Sequence, residues 1–304
     1  MSLTTTGVSS VIVTYNPDLR KLGRVISALN GDVDSLILVD NASKNQSQIR
    51  HITQTHVNRT HLIFNTWNKG FVMALNQGLR ECFDSGAGFA LILTQDTVLP
   101  SQAVPEMLKF YNEHKEMKIG VISAQLRLDG EQIPITDGYS LESMVMSTGI
   151  LVPRTVFQRI GLYRGNFFMY HEDDEFCFRV RSAGYNIVRL NYIQGSHSEG
   201  DARVRVIIPA RWRRESDPWQ RFSPVRVRLT TAPARKPLML YYIARNGLYI
   251  ALNEDRSFLP NFVLVTITNL ISCLAYYKQP LSSVGFIVAG VAHALCGRLG
   301  KLDC

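Results

Sequence analysis

The sequence predicts an α/β fold built around a mostly parallel sheet, and three observations carry that expectation. Short apolar runs alternate with stretches of helical spacing through the first half of the chain. The runs Val11–Tyr15, Leu36–Asp40, His61–Phe64 and Phe89–Leu93 read as strands of the kind buried on both faces. Polar residues gather where these runs end, at Thr14-Tyr15-Asn16, Asp40-Asn41 and Thr94-Gln95-Asp96-Thr97. Sheets of this kind bind ligands beyond the carboxyl ends of their strands.

The connecting elements follow in order. Leu19–Leu29, Gln46–Thr55 and Phe71–Phe83 have helical spacing, and Ser101–Glu113 supplies a further helix after the fourth run. Beyond Gly120 the pattern becomes mixed, with strands expected at Val121–Leu126, Ser147–Val152 and Asn186–Leu190 and a helix starting near Glu172. Arg203–Lys236 is interrupted by Pro209, Pro218, Pro224 and Pro233, which predicts an extended or mobile segment.

Composition narrows the class of partner. Apolar residues make up 46% and charged residues 19% of the 304, enough for a packed interior. The formal charge of +8 is concentrated: Asp201–Lys236 holds ten Arg or Lys against three acids, so a phosphate-bearing partner is expected. No zinc-finger spacing, RRM, KH or helix-turn-helix signature is present, which argues against nucleic acid. Sugar nucleotides, lipid pyrophosphates and an anionic membrane surface remain. The five cysteines are scattered, with no CxxC pair, and Met1–Ser10 has neither the basic nor the apolar part of a signal peptide, so a cytoplasmic setting is expected.

Phe258–Tyr277 and Val284–Leu295 are apolar but interrupted, and neither reads as a clean span of about 20 apolar residues. An interfacial helical hairpin on a membrane is the preferred reading, and ordinary buried helices are the alternative.

Several short stretches carry chemistry. Asp96, directly after a strand, can hold a hard divalent cation against a diphosphate, or can simply belong to a turn. Asp40 can accept hydrogen bonds from a base or ribose, or act as an Asx cap. Asn68-Lys69-Gly70-Phe71 opens a helix, where free backbone N–H groups favour anions, though capping accounts for Asn68 equally well. Glu172-Asp173-Asp174-Glu175 places four repelling acids in one helical turn, which points to a functional need as well as a favourable dipole. His197, in Gly195-Ser196-His197-Ser198, is either a ligand for a metal or diphosphate or a solvated loop residue. A dehydrogenase is disfavoured, because no GxGxxG follows the first strand.

The order of these elements resembles family 2 glycosyltransferases. The resemblance runs through Thr14-Tyr15-Asn16-Pro17, Val39-Asp40-Asn41-Ala42-Ser43, Asn68-Lys69-Gly70-Phe71, Ala74-Leu75-Asn76-Gln77-Gly78, Gln95-Asp96-Thr97, Thr148-Gly149, Glu172-Asp173 and His197-Ser198, covering the N-terminal two-thirds. Within the family the chain is most similar to bacterial rhamnosyltransferases, whose Tyr-Tyr-x-x-Arg-Asn element is matched by Tyr241-Tyr242-Ile243-Ala244-Arg245-Asn246.

The resemblance implies a GT-A fold, a Rossmann-like mixed sheet flanked by helices, over residues 1–200. Residues 201–304 then form a basic segment and a helical, membrane-associating extension. It also implies an inverting transfer from a nucleoside diphosphate sugar, dTDP-rhamnose favoured, to a saccharide or lipid-pyrophosphate-linked acceptor, with Mg²⁺ or Mn²⁺ as cofactor, at the inner face of the cell membrane. By position, Asp173 is the base, Asp96 and His197 hold the metal, and Thr14, Tyr15, Asn16, Asp40, Asn68, Gly70, Gln95 and Asp96 bind the donor. Thr148, Gly149, Glu172 and Glu175 are the acceptor side. One departure stands out: Thr94 occupies the first acidic position of the metal motif. Galactofuranosyl or other hexosyl transfer, and a silent nucleotide-sugar-binding subunit, are the alternatives.

Overall fold

The computed structural model describes residues 7–29, 31–54, 59–128, 133–198, 203–209, 227–233 and 236–302. The chain divides into two compact units, one comprising the residues up to Phe168 together with Glu172–Ser198, the other Met169–His171 with the residues from 199 onward.

In the first unit, the apolar runs become β1 (Val8–Thr14), β2 (Ser35–Asp40), β3 (Thr60–Phe64) and β4 (Phe89–Thr94), all parallel in the order β3-β2-β1-β4. Every residue of β1 and β2 is buried, which is why the runs lack alternation. Helices α1 (Leu19–Ala28), α2 (Gln46–Gln54), α3 (Phe71–Asp84) and α4 (Ala103–Glu113) lie in the connections. Asp18 caps α1 by accepting from the Arg20 and Lys21 N–H groups, and Leu22, Val25 and Ile26 form its buried stripe.

The second half of the sheet is mixed. Strands β5 (Thr97–Val98), β6 (Ile119–Leu128), β7 (Tyr139–Leu141), β8 (Ile150–Pro153) and β9 (Asn186–His197) extend it in the order β4-β8-β6-β9-β5, with β7 also on β9. Helices α5 (Arg154–Ile160) and α6 (Glu172–Ser182) belong to this half. Strand β8 runs antiparallel to both β4 and β6, while β9 is parallel to β6. The residues that enter β8 therefore share an edge of the sheet with the residues that leave β4 and β9.

Two of the boundaries that differ from the sequence expectation bear on the site. Strand β8 begins at Ile150 rather than Ser147, because Gly149 sits at φ +68 and turns the chain just before it. Strand β9 continues seven residues past Leu190 to His197, so His197 lies in a strand end paired with Thr97 and is not a loop histidine.

In the second unit, β10 (Arg203–Pro209) and β11 (Val227–Pro233) pair antiparallel, so the expected extended segment is hydrogen-bonded at both ends. The arginines between 210 and 226 lie outside the described residues. Helices α7 (Pro237–Asn253), α8 (Leu259–Tyr276) and α9 (Pro280–Leu295) pack through Leu240, Ala244, Cys273 and Ile287. The Arg245 side chain is buried over the Tyr241 and Tyr242 rings and donates to Gly300 O at 2.5 Å. Asn246 Nδ2 donates to Met169 O and Tyr170 O at 2.8 and 2.9 Å.

Helix α8 is inverted relative to a helix made for water. It buries Thr268 and Ser272, whose hydroxyls return to backbone carbonyls of the same helix, and exposes Val263, Ile267, Ile271 and Leu274. Arg256–Tyr276 is 21 residues long and, by length and composition alone, apolar enough to cross a membrane. The expectation of no clean span rested on the polar residues that interrupt this stretch; by length and overall composition the helix passes all the same, whereas Pro280–Leu295 is shorter.

Candidate active site

The register of the parallel strands sets the first part of the site. Thr14 pairs with Asp40 and Val13 with Thr94, so three strands end at one level and present their polar residues together. Asp40 is fully buried there. Its Oδ1 accepts from Thr14 Oγ1 at 2.9 Å and Ser43 Oγ at 2.5 Å, and its Oδ2 from Ser43 N at 2.9 Å and Gln46 Nε2 at 2.8 Å. A carboxylate offers about four lone-pair sites, and protein donors take all of them. Asp40 thus organises the edge from within, and its contact with a nucleotide stands as a proposal.

What Asp40 organises is a scaffold of turns. Ser43 Oγ accepts from Asn16 N at 2.7 Å, and Asn16 Oδ1 accepts from Lys44 N at 2.9 Å, which holds Asn16 at φ +46. The Tyr15 N–H donates to Gln95 Oε1 at 2.8 Å, leaving the Tyr15 ring exposed and the Gln95 amide nitrogen as a donor. Asn41, whose role the sequence reading missed, accepts from Lys69 N and Asn65 Nδ2 and donates to Asn68 Oδ1 and Gly70 O. Asn68 Oδ1 also accepts from Gly70 N at 2.8 Å. At the start of α3, Gly70 has φ +86, and a Cβ there would lie 2.5 Å from Phe168 O, which itself accepts from Phe71 N at 3.0 Å. The Gly70 and Phe71 N–H groups are thus occupied by protein acceptors, so the capping account of Asn68 describes this helix start.

The second part of the site joins distant stretches. Thr94 Oγ1 donates to Asp96 Oδ1 at 2.8 Å, and Thr148 Oγ1 accepts from Thr94 N at 2.9 Å and donates to Thr97 Oγ1 at 2.9 Å. Thr97 Oγ1 is 2.8 Å from His197 Nδ1, a partner 100 residues away in sequence. The His197 Nδ1 to Asp96 Oδ1 separation is 3.5 Å, with both side chains partly accessible. Thr97 carried no separate signal in the sequence, because its importance comes from the two-residue strand β5 docking on β9.

Thr148 and Gly149 prove to be interior residues. Thr148 is buried in the hydroxyl cluster, and Gly149 is buried with its N–H on Ile92 O and its carbonyl taken by Ala124 N. In this structure both support the edge from within.

The acidic turn of α6 resolves into different tasks. Asp173 is half-buried, and its Oδ1 accepts from Ser147 N at 2.8 Å, one residue before the Thr148 hydroxyl. Glu172 has its Oε2 sealed from solvent without a hydrogen-bond partner. Burial, and then the charges of Asp173 and Asp174, push its carboxyl up to about 8. Glu175 is fully buried: Arg179 Nε and Nη2 donate to its two oxygens at 2.6 and 2.8 Å, and Arg164 Nε donates at 3.3 Å. Both of its oxygens are engaged by Arg179 and Arg164, so in this structure Glu175 holds the arginines, with the i,i+4 spacing to Arg179 placing the pair on one helix face. Tyr15, Asn16, Asn68, Gln95, Asp96, Glu172, Asp173 and His197 are the predicted site residues that keep surface access.

A parallel sheet extended by a mixed half, with a carboxylate and an imidazole at its carboxyl edge and an acidic helix start nearby in the fold, defines a GT-A glycosyltransferase. Residues 9–171, over half of the chain, match the family described as Glycosyl transferase family 2, and the chain belongs to that family. Among curated relatives, the chain is 26% identical over 215 residues to the dTDP-rhamnosyl transferase RfbF of Shigella flexneri, covering 66% of this chain and 71% of that protein. It is also 26% identical over 216 residues to the low-salt glycan biosynthesis hexosyltransferase Agl10 of Haloferax volcanii, covering 63% and 67%. Two solved structures share the fold. GalNAc-T7 with UDP, GalNAc and Mn²⁺ matches at a TM-score of 0.53 and 12% identity, over 65% of this chain and 45% of that one. TarS of S. aureus in complex with UDP matches at 0.52 and 16%, over 64% and 61%. The chain thus spans less than two-thirds of either solved structure.

Proposed function

We propose that this glycosyltransferase moves L-rhamnose from dTDP-L-rhamnose, with inversion and with Mg²⁺ or Mn²⁺, to a saccharide or lipid-pyrophosphate-linked acceptor in bacterial surface polysaccharide synthesis. The observation that supports the cation requirement is that Asp96 and His197, both partly accessible, lie side by side at the carboxyl ends of the strands, 3.5 Å apart at Oδ1 and Nδ1, with Oδ2 and Nε2 as the candidate ligand atoms. One carboxylate and one neutral imidazole suit a divalent ion that completes its shell with diphosphate oxygens and water. Such an ion, when bound, supplies charge stabilisation for the departing diphosphate.

The remaining work falls to the chain's own residues. Asp173, oriented by the Ser147 N–H, accepts the proton of the acceptor hydroxyl as it attacks. A single attack from the face opposite the leaving diphosphate inverts the anomeric centre. Tyr15, Asn16 and Gln95 meet the nucleotide, on turns already held by Asp40 and Ser43. The 26% likeness to a dTDP-rhamnosyl transferase favours rhamnose, and the equal likeness to a hexosyltransferase keeps another hexose as the second reading. The test is a panel of sugar nucleotides scored for transfer with Mg²⁺, with Mn²⁺ and in excess chelator. Preference for dTDP-rhamnose and loss of turnover in chelator are expected. Full turnover in chelator overturns the cation, and preference for another sugar moves the donor.

The exposed apolar stripe of α8 and the ten basic residues of Asp201–Lys236 support attachment to the inner face of the membrane. Flotation with anionic liposomes tests this, and failure to float at low salt refutes it.

A further inference from the structure

We infer that Thr94, Thr97 and Thr148 form a directed hydrogen-bond chain that fixes neutral His197 as its Nδ1–H tautomer, so that the Nε2 lone pair is the one left for a divalent cation. The inference rests on the cation reading above for its purpose, but its evidence is a count of hydrogens.

Five short contacts link these groups. They are Thr94 to Asp96 at 2.8 Å, Thr94 to Thr97 at 2.8 Å, Thr148 to Thr97 at 2.9 Å, Thr97 to His197 Nδ1 at 2.8 Å and Thr94 to Thr148 at 3.1 Å. Each hydroxyl has one hydrogen to give, and a carboxylate only accepts. The Thr94 hydrogen is therefore committed to Asp96 Oδ1, and the Thr148 hydrogen points to Thr97. Only the Thr97 hydrogen is left, and it faces two close acceptors.

If His197 carried its proton on Nε2, Thr97 would have to donate to Nδ1. The 2.8 Å contact between Thr94 and Thr97 would then hold two oxygens and no hydrogen. With the proton on Nδ1 the shortest contacts are all served. The sequence reads His197 Nδ1–H to Thr97, Thr97 O–H to Thr94 and Thr94 O–H to Asp96, and only the longest contact, 3.1 Å, lacks a hydrogen of its own. Thr97 then accepts from His197 and Thr148 and donates once, which its oxygen can do. A ring nitrogen that ligates a metal must keep its lone pair, and the bond made by the other nitrogen decides which one that is.

This gives Thr94 a role in the place where the family pattern has an acid. It is the terminal donor that holds Asp96 through Oδ1, so that Oδ2 is the oxygen not engaged by the chain of threonines. Thr94 and Thr97 are positioning residues: neither needs to touch the ion.

The test reads the tautomer directly, without metal. Full-length protein labelled with ¹⁵N-histidine is examined by long-range ¹H–¹⁵N correlation at about pH 8, and the His197 signals are those missing from His197→Gln. A protonated Nδ1 and a lone-pair Nε2 are expected, and a protonated Nε2 overturns the inference outright. Thr94→Val is the sharper variant. Thr94 meets not His197 itself but its partner Thr97, at 2.8 Å, so the change frees the Thr97 hydrogen for Nδ1 and should switch the ring to Nε2–H. Thr97→Val should switch it as well, and Thr97→Ser should keep Nδ1–H. A ring that stays Nδ1–H in a folded Thr94→Val protein refutes the directed chain.

Mn²⁺ binding in the presence of dTDP, followed by the electron paramagnetic resonance of free Mn²⁺, gives the second readout. Affinity is expected to fall roughly 10–100-fold in Thr94→Val and Thr97→Val and to survive in Thr97→Ser. Unaltered Mn²⁺ affinity in a variant whose tautomer has switched refutes the link between tautomer and cation. An Nδ1–H ring in a wild-type protein that binds no Mn²⁺ with dTDP supports the chain and sinks the cation reading instead.

Discussion

Replacing Glu175 by Gln separates a supporting carboxylate from an acceptor-binding one. The native side chain has 1% of its surface exposed and joins the 18%-exposed Arg179 through two short bonds, with a third from the 29%-exposed Arg164. Arg179 also donates to Ile160 O and Leu162 O, so its guanidinium stays where it is when the charge opposite disappears. Gln keeps the shape, but it sets an amide N–H against a guanidinium donor. Breaking a buried pair by removing one partner costs about 3–5 kcal/mol. Partial solvent access to both arginines places this site near the low end, about 3 kcal/mol. The assay is the urea midpoint of the wild type and the variant, together with steady-state kinetics well below the unfolding transition. The midpoint should fall, with acceptor KM unchanged. An unshifted midpoint with acceptor KM raised about tenfold, which corresponds to about 1.4 kcal/mol, would refute the reasoning and return Glu175 to the acceptor.

Three further outcomes follow from the same geometry. Asp173→Asn should lower turnover roughly 10²–10⁴-fold while leaving dTDP-sugar affinity intact by calorimetry, and lost donor affinity would make Asp173 a binding residue instead. Glu172 titrates near 8 in the folded chain against 4.5 as its ordinary value, so between those values the folded state holds a proton that the unfolded state has lost. Its contribution to stability is therefore complete below 4.5 and declines as pH rises toward 8, by at most about 1.4 kcal/mol per pH unit. Glu172→Gln should flatten that decline in a series of urea titrations, and an unchanged slope would count against it. Asp40→Asn turns an amide toward donors such as Ser43 N and Gln46 Nε2 and should destabilise the protein by about 2–3 kcal/mol in the same assay; unchanged stability with weakened nucleotide binding would restore Asp40 as a direct contact.

The parallel strands were legible because each is an uninterrupted apolar run ending in polar residues, and that pattern depends only on local sequence. Strand β9 beyond Leu190 was not, since Asn191-Tyr192-Ile193-Gln194-Gly195 has no strand signature of its own; pairing with β6 breaks after Leu190 and resumes at Gln194, and β5 joins at Ser196 and His197. Helix α7 escaped notice for the opposite reason: it is buried around most of its circumference, Arg245 included, so no polar face marks its period. In the site, residue types pointed correctly to a polar edge but not to burial. Asp40 and Glu175 read as surface acids because their partners Thr14, Arg164 and Arg179 converge only in the fold. The local hints were the spacing of Asp40 and Ser43, which fits an Asx cap, and that of Glu175 and Arg179.

The antiparallel insertion of β8 has a consequence for how the enzyme comes into being. The Asp40 scaffold draws on residues between Thr14 and Gln46 and closes over short loops. The pairing of Thr97 with His197 must wait for 100 residues of intervening chain to be made, threaded through β8 and β6, and docked as β9. The hydrogen bonds around Asp40 thus need only the first strands, and chemistry that needs both Asp96 and His197 waits on the longer of these two closures.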